Sequence, residues 1–439
     1  MLALVSFAGG ASGQQRDSLL ALTPDCLHQT AVAGVAVTAD SICVTRAEAV
    51  AAALSRNPQL VAGMEQVAQA QARKVQGTAM PDPSLDLSVN EATRVFGGSA
   101  KDKVLGATLQ VPFPDKFRLR GRIGNADIQA TTAGLASLRL DIAALTSQAY
   151  DFLLAALRHQ RDLQVLKTLT EAFLVKTQAR FEAGTAPRLD VIKARVDVAQ
   201  AENDLIANGR DIVNARAALN RLLDRPLGAP LTVSDTLALP PDLPRLEALE
   251  AAALASRPDL VGLQRQQEGA RATTALAKEY WLPDVIFGLS HNYADPGPGI
   301  LVAGLSMPLP VFFWNHTNGE IAESAHREQE LVANYRDLRA EVGQGVRAAY
   351  ASAATAFRQA VYLLEQLLPA ARDAYRVASV SYGLGGSSAL EVLDARRGLR
   401  DAESQYTDAL VAANLARADL QRAVAAPLDS MDVGGTREH

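Results

Sequence analysis

The chain has 439 residues, of which 48% are hydrophobic and only 5% aromatic, with a net charge of −5. That length holds two or three ordinary domains, and few aromatics with abundant alanine favour tight helix packing over one large globular core. The mildly acidic balance argues against a nucleic-acid partner, whose phosphate contacts need a basic face. No run of 18 or more apolar residues occurs, so no helix is expected to cross a bilayer, a limit that does not apply to β-strands.

Met1–Gly13, MLALVSFAGGASG, has the apolar and small-residue parts of a secretion signal but lacks the basic region before them. The expectation is a start site placed too late, with cleavage near Gly13; the alternative is a short apolar tail. Cys26 follows Thr23-Pro24-Asp25, a poor context for lipid attachment. Cys26 and Cys43 are the only cysteines; they either pair in an oxidising compartment or stay as two thiols.

From Thr45 the chain runs twice through one pattern with a period of about 200 residues. Leu54-Ser55-Arg56-Asn57-Pro58-Gln59-Leu60 answers to Leu254–Leu260, Pro83 to Pro283, Val111–Pro114 to Met307–Pro310, and Arg225-Pro226-Leu227 to Ala426-Pro427-Leu428. The domains read as an arm over 1–44, a first repeat over 45–223, a Pro-rich linker over 224–244, a second repeat over 245–426 and a tail over 427–439.

Each repeat predicts a helix, a strand pair, a long helix, a tip and a returning helix. In the first, Thr45 caps a helix to about Thr78, with Glu48 completing a capping box. Strands follow over 84–111, where Leu85, Leu87 and Val89 alternate with polar residues, as do Leu105, Ala107, Leu109 and Val111. The second repeat places its pair over 284–307. The connectors Glu91–Lys103 and His291–Gly299 read as loops. A long helix over about Asp115–Ala183 carries a seam at Leu135, Leu138, Ile142, Leu145, Ala149, Phe152 and Ala156. The returning helices carry one from Val191 to Leu222 and from Val392 to Ala423.

The tips span 181–190 and 382–391. Phe181 matches Tyr382, Gly184 matches Gly385, Leu189 matches Leu390 and Asp190 matches Glu391, each 201 residues later. Each reads as an aromatic residue, a glycine turn, then an acid in the first turn of a new helix.

Four strands cannot close a barrel, and open strand edges are not tolerated in lipid. Three copies would supply about twelve strands, within the range of outer-membrane barrels. Pro112, Pro114, Pro308 and Pro310 suit a change from sheet to helix. Phe113, Phe312, Phe313 and Trp314 just past the strands, and Trp281 just before one, stand where an interfacial aromatic girdle belongs, or else pack a domain joint.

On these features the chain resembles the TolC-like outer-membrane efflux factors over about Thr45 to Leu428. The segment Pro308-Leu-Pro-Val-Phe-Phe-Trp-Asn-His-Thr-Asn-Gly-Glu-Ile-Ala322 is similar to the joint of the cobalt–zinc–cadmium efflux branch. The resemblance implies a mainly α protein with a small β part. It implies a homotrimer with a twelve-stranded β-barrel in outer-membrane lipid and an α-helical barrel of coiled-coil hairpins in the periplasm. The tips Phe181, Gly184, Leu189, Gly385 and Leu390 would dock a periplasmic adaptor, in line with an inner-membrane pump of resistance-nodulation-division type. The cargo implied is heavy-metal cations, with drug efflux or type I protein secretion as alternatives. A soluble coiled-coil scaffold is the alternative of another class, and the alternating strands speak against it.

Family members close the periplasmic end with tip residues, which match Tyr382, Glu391 and Asp394 here, with Asp190 in the first copy; Lys193 departs from the acid pair. Glu391 and Asp394 lie three apart and share a helix face, and rings of like charge select cations. Glu391 also completes a capping box with Ser388, yet Asp190 persists where Pro187 forbids one. No catalytic set and no cofactor site is expected. His28, His159, His291, His316, His326 and His439 have no second metal ligand at suitable spacing. Gly383, Gly385 and Gly386 follow no strand, so they form no phosphate loop.

Overall fold

The computed structural model describes residues 42–93, 99–295, 298–308 and 313–428. The first repeat comprises β1 (Ile42–Val44), α1 (Arg46–Arg56), α2 (Pro58–Thr78), β2 (Ser84–Thr93), β3 (Ser99–Val111), α3 (Pro114–Glu182) and α4 (Arg188–Leu222). After β4 (Leu231–Val233) the second comprises α5 (Leu246–Ser256), α6 (Pro258–Lys278), β5 (Val285–Asp295), β6 (Ile300–Ser306), α7 (Phe313–Tyr362), α8 (Leu368–Leu384) and α9 (Ala389–Val424). A 3₁₀ turn, Glu279–Trp281, precedes β5, and one π turn, Leu363–Leu367, joins α7 to α8.

The expected single helix from Thr45 to Thr78 is two. Thr45 and Glu48 do form the capping box, but Pro58 forces Asn57 out of the helical region, to φ −58 and ψ 125. The Asn57 carboxamide accepts from the Gln59 amide at 2.9 Å and donates to the Leu222 carbonyl at 3.1 Å. The second repeat breaks at Arg257–Pro258 in the same way, and there the Ser256 hydroxyl lies 3.3 Å from the Val424 carbonyl. Each repeat thus ties the end of its first helix to the end of its last.

The strands run further than hydrophobic alternation alone indicates. Glu91–Thr93, Ser99–Lys103 and His291–Asp295, expected in loops, extend the ladder, with Glu91 opposite Lys101 and Lys101 opposite Asp295. Backbone hydrogen bonds sustain a ladder where side-chain polarity carries no strand signal.

The chain forms two compact units, each drawing on both repeats. The first contains residues up to Val61, Leu138–Ser256 and Val342 onward. Its α4 and α9 bury the expected seams: Val191, Ala194, Ala201, Asn208, Ile212 and Leu219 in one, Val392, Leu399, Ala402, Ala413 and Leu420 in the other. The α3 seam needs correction. Ile142, Ala149 and Ala156 are buried, but Leu145 and Phe152 are exposed while Tyr150, Asp151, Leu153 and Leu154 are buried. The apolar spacing was real but α3 turns a wider face inward than a two-residue seam describes. An 18-residue window of α3 reaches a mean hydropathy of 1.2, but half of it is buried. It is a packed core segment.

Strands β1 and β4, not expected from the residue pattern, pair in parallel, Ile42 with Leu231 and Val44 with Val233. Around them Tyr150 and Asp151 are fully buried. Arg46 pairs with Asp151, and its backbone amide donates to Asp235 at 2.9 Å. Burial pushes the Asp151 carboxyl up to about 6 despite Arg46, and pushes the Tyr150 hydroxyl up as well. The linker's irregular backbone is held by side chains: Arg158 donates to Leu237, Arg216 to Leu231 and Asn414 to Ala238.

The second unit contains Ala62–Ser137 and Arg257–Glu341. Here α6 lies close against α3 through small residues. A Cβ on Gly262 would stand 3.3 Å from the Ala133 Cβ, and one on Gly269 3.2 Å from the Ala126 Cβ. Arg73 pairs with Asp127 at 2.8 Å and Arg271 with Glu328 at 3.0 Å. At the joint of sheet and helix, Lys116 and Asp284 form a largely buried pair at 2.8 Å.

Candidate functional site: a two-faced sheet and two tips

The four-stranded sheet runs β2-β3-β5-β6, all antiparallel, so β2 and β6 are its edges. The register sorts its residues by face, because residues opposite one another point the same way. Leu87 faces Leu105, Ala107 faces Leu289, Leu109 faces Phe287, and Phe287 faces Leu305. These build one apolar face four strands wide. It is exposed: Leu85 and Leu87 are each 74% accessible and Leu305 is 70%. The other face is mostly small and polar, with Asp86 opposite Gly106, Gly106 opposite Ser290, and Gly288 between Thr108 and Gly304, and it also carries Val104, Ile286, Ile300 and Val302. A water-soluble sheet of this size buries its apolar face; this one presents it outward.

Of the expected girdle, Trp281 and Phe113 are exposed just outside the strands. Phe312 lies outside the described residues, and so do the side chains of Phe313 and Trp314, the first residues of α7. Missed in the sequence are His291 and Tyr293, whose rings stand 4.1 Å apart at the opposite end of the apolar face. The signal was there, since both continue the alternation of Phe287 and Leu289 along β5.

At the tips, Gly184 (φ 72) and Gly385 (φ 85) take the left-handed conformation that ends a helix. The two turns close identically. Gly184 and Thr185 donate to Phe181 and Arg180, and Gly385 and Gly386 to Tyr382 and Ser381. The new helices start differently. Ser388 and Glu391 form the capping box, at 3.2 and 3.3 Å, whereas Pro187 caps α4 with no side-chain bond. Glu391 and Asp394 are exposed, and Asp190 is half-buried. Leu189 and Leu390 are exposed at matching positions.

Tyr382 is buried among Phe173, Ala194, Ala389, Val392 and Leu393, with its ring 5.3 Å from Phe173. Its hydroxyl lies 3.5 Å from that of Thr177. Behind the tips, Arg396 of α9 pairs with Asp197 of α4; burial, with Arg397 and Arg400 nearby, draws its guanidinium down to about 10. No group of three metal-ligating side chains occurs among the described residues. Cys43 is buried on β1 and is not a free thiol; Cys26 lies outside the described residues.

An exposed apolar sheet joined to paired helical hairpins defines a membrane channel subunit rather than an enzyme. The family model described as outer membrane efflux protein matches residues 49–225 and 249–426, and the chain belongs to that family. Its members are outer-membrane channels extending into the periplasm, and they work as trimers with a periplasmic adaptor and an inner-membrane pump. Among curated proteins, the cobalt-zinc-cadmium resistance protein CzcC of Cupriavidus metallidurans is 23% identical over 372 residues, 84% of this chain and 86% of that protein. The toluene efflux pump outer membrane protein TtgC of Pseudomonas putida is 25% identical over 329 residues, 66% of this chain and 67% of that protein. Among solved structures, the CusC channel has a TM-score of 0.74 at 17% identity, over 90% of this chain and 96% of that one.

Proposed function

We propose that three copies close a twelve-stranded barrel and conduct heavy-metal cations passively from a resistance-nodulation-division pump and its adaptor across the outer membrane. The sheet carries this reading: an exposed apolar face, an opposite face mostly of small and polar residues, and two edge strands, β2 and β6. In an antiparallel sheet of four strands, β6 of one copy meets β2 of the next in antiparallel sense, so closure is continuous. Trp281 and Phe113 sit at one border of the lipid-facing band and Tyr293 at the other. Exposed Leu145, Phe152, Ile206 and Val213 are surfaces that neighbouring copies cover.

The cargo reading rests on the likeness to CzcC and on the exposed acids Glu391 and Asp394. Repeated around a three-fold axis they ring the periplasmic mouth with negative charge, joined by Asp190, and such rings favour cations. Glu391 also caps α9, so its role is shared. Phe181, Gly184, Leu189, Gly385 and Leu390 at the turn are the adaptor's contact. TtgC, named for toluene efflux, favours a second reading with an organic cargo.

Native mass measurement in detergent tests the assembly: a trimer is expected, and a stable monomer overturns it. Planar-bilayer recordings test the mouth. Glu391→Gln with Asp394→Asn is expected to weaken cation preference and block by multivalent cations from the periplasmic side; unchanged selectivity and block overturn the ring. A deletion strain is expected to lose tolerance to cobalt, zinc or cadmium salts, and loss of tolerance to toluene alone transfers the cargo to the second reading.

A further inference from the structure

Behind the tips a cavity of about 290 Å³ opens between α3, α4 and α9. Four cations line it: Lys193 of α4, with Arg396, Arg397 and Arg400 of α9. Only two carboxylates share the wall with them, Asp197 and Asp204 of α4. Arg396 is 4% exposed and is matched by Asp197. Arg400 lies 3.6 Å from Asp204 and 3.1 Å from Asp401. Among the described residues, no carboxylate pairs with Lys193 or Arg397. Apolar side chains supply much of the remaining wall, with Ile192, Val196 and Leu390 exposed and Leu393 buried.

A buried ion pair stabilises no more than apolar packing in its place, so the fold alone does not call for Arg396. The duplication makes the same point. The residue 201 places before Arg396 is Arg195, which is exposed, and those before Arg397 and Arg400 are Val196 and Ala199. Lys193 stands where the second copy has Asp394. The cation cluster is therefore no part of the repeated architecture; it is built once, around one cavity.

We infer that this cavity binds an amphipathic organic anion, a carboxylate or sulfonate on an apolar skeleton. Lys193 and Arg397, beside Arg400, take the charge, and Ile192, Val196 and Leu393 take the skeleton. Guanidinium groups present a planar fork of donors that suits such oxygens, and an apolar cavity with a few placed charges is the usual setting for a small ligand. The site lies within one copy and stands apart from cation conduction, since its ligand has the opposite charge to the proposed cargo.

Isothermal titration of naphthalenesulfonate into the purified full-length protein in uncharged detergent tests the site, with a titration into detergent alone subtracted. Saturable binding is expected. Naphthylmethanol, the neutral analogue, and inorganic sulfate should each bind at least roughly tenfold more weakly, one lacking the charge and the other the apolar body. Lys193→Gln with Arg397→Gln leaves the buried pair of Arg396 and Asp197 intact and is expected to weaken the sulfonate roughly tenfold. Arg422→Gln removes an α9 cation that pairs with Asp141 and does not line the cavity, and it is expected to bind as wild type. No sulfonate binding at millimolar concentration overturns the site. So does unchanged binding in the double variant, which places the ligand elsewhere. Equal weakening in Arg422→Gln shows attraction to overall charge, and equal affinity for the neutral analogue shows apolar partition; either result also overturns it.

Discussion

The Tyr150 hydroxyl lies 2.9 Å from the Asp235 carboxylate, joining the middle of a 69-residue helix to the linker between the repeats. The same hydroxyl stands 3.1 Å from the Val44 carbonyl and accepts from the Asp235 amide at 3.3 Å. Three segments remote in sequence therefore meet at one phenol, beside the buried pair of Asp151 and Arg46.

Asp151 gives this junction a pH signature. Its folded value of about 6 lies above the ordinary 3.8, because burial outweighs Arg46. Between those values the folded chain holds a proton that the unfolded chain has released. The group's penalty is therefore fully present above pH 6 and is relieved as pH falls towards 3.8, by up to about 3 kcal/mol. Asp151→Asn is expected to remove this contribution, seen as the difference between the two proteins' stability–pH curves in denaturant melts.

Arg46→Met leaves a buried carboxylate without its cation. At pH 8 the expected cost is about 3–5 kcal/mol. At pH 5, where Asp151 is protonated, most of that cost should vanish. Equal losses at the two pH values would show that Arg46 acts through its alkyl packing.

Gly269→Val is expected to destabilise by about 1–3 kcal/mol, because its Cβ site lies 3.2 Å from Ala126 and the added methyls force the helices apart. Gly77→Ala meets nothing within 4 Å and should be neutral or stabilising by about 0.5–1 kcal/mol. Thermal melts of both variants against wild type check the contrast.

Cys26 and Cys43 are expected to be joined in protein exported to an oxidising compartment. Non-reducing peptide mapping should recover one linked pair. Two thiols open to alkylation in oxidised preparations would refute it.

Much of the architecture was legible because it repeats. The strand pairs and the glycine turns at Gly184 and Gly385 occur twice, and a second copy tests a reading of the first; the repeated Pro58 and Pro258 were visible too, but not the helix breaks that they impose. What broke the repeat was not legible. The strand pair Ile42–Val44 and Leu231–Val233 is three residues long on each side, too short for a periodic signal. Lys176 and Arg180, whose cations lie over the Tyr382 ring, look like ordinary surface cations on a helix until the neighbouring hairpin is in place. The π turn at Leu363–Leu367 precedes Pro369, whose missing amide the wider turn accommodates. At the sheet, alternation identified the faces, whereas the full strand length came from backbone pairing through polar residues.

The pairing of β1 with β4 sets an order of events. Val44 cannot meet Val233 until the whole first repeat and the start of the linker have been threaded into the compartment where the protein folds. Until then β1 has no partner strand. A chain interrupted before Leu231 lacks the strand that would hold Ile42–Val44 in place.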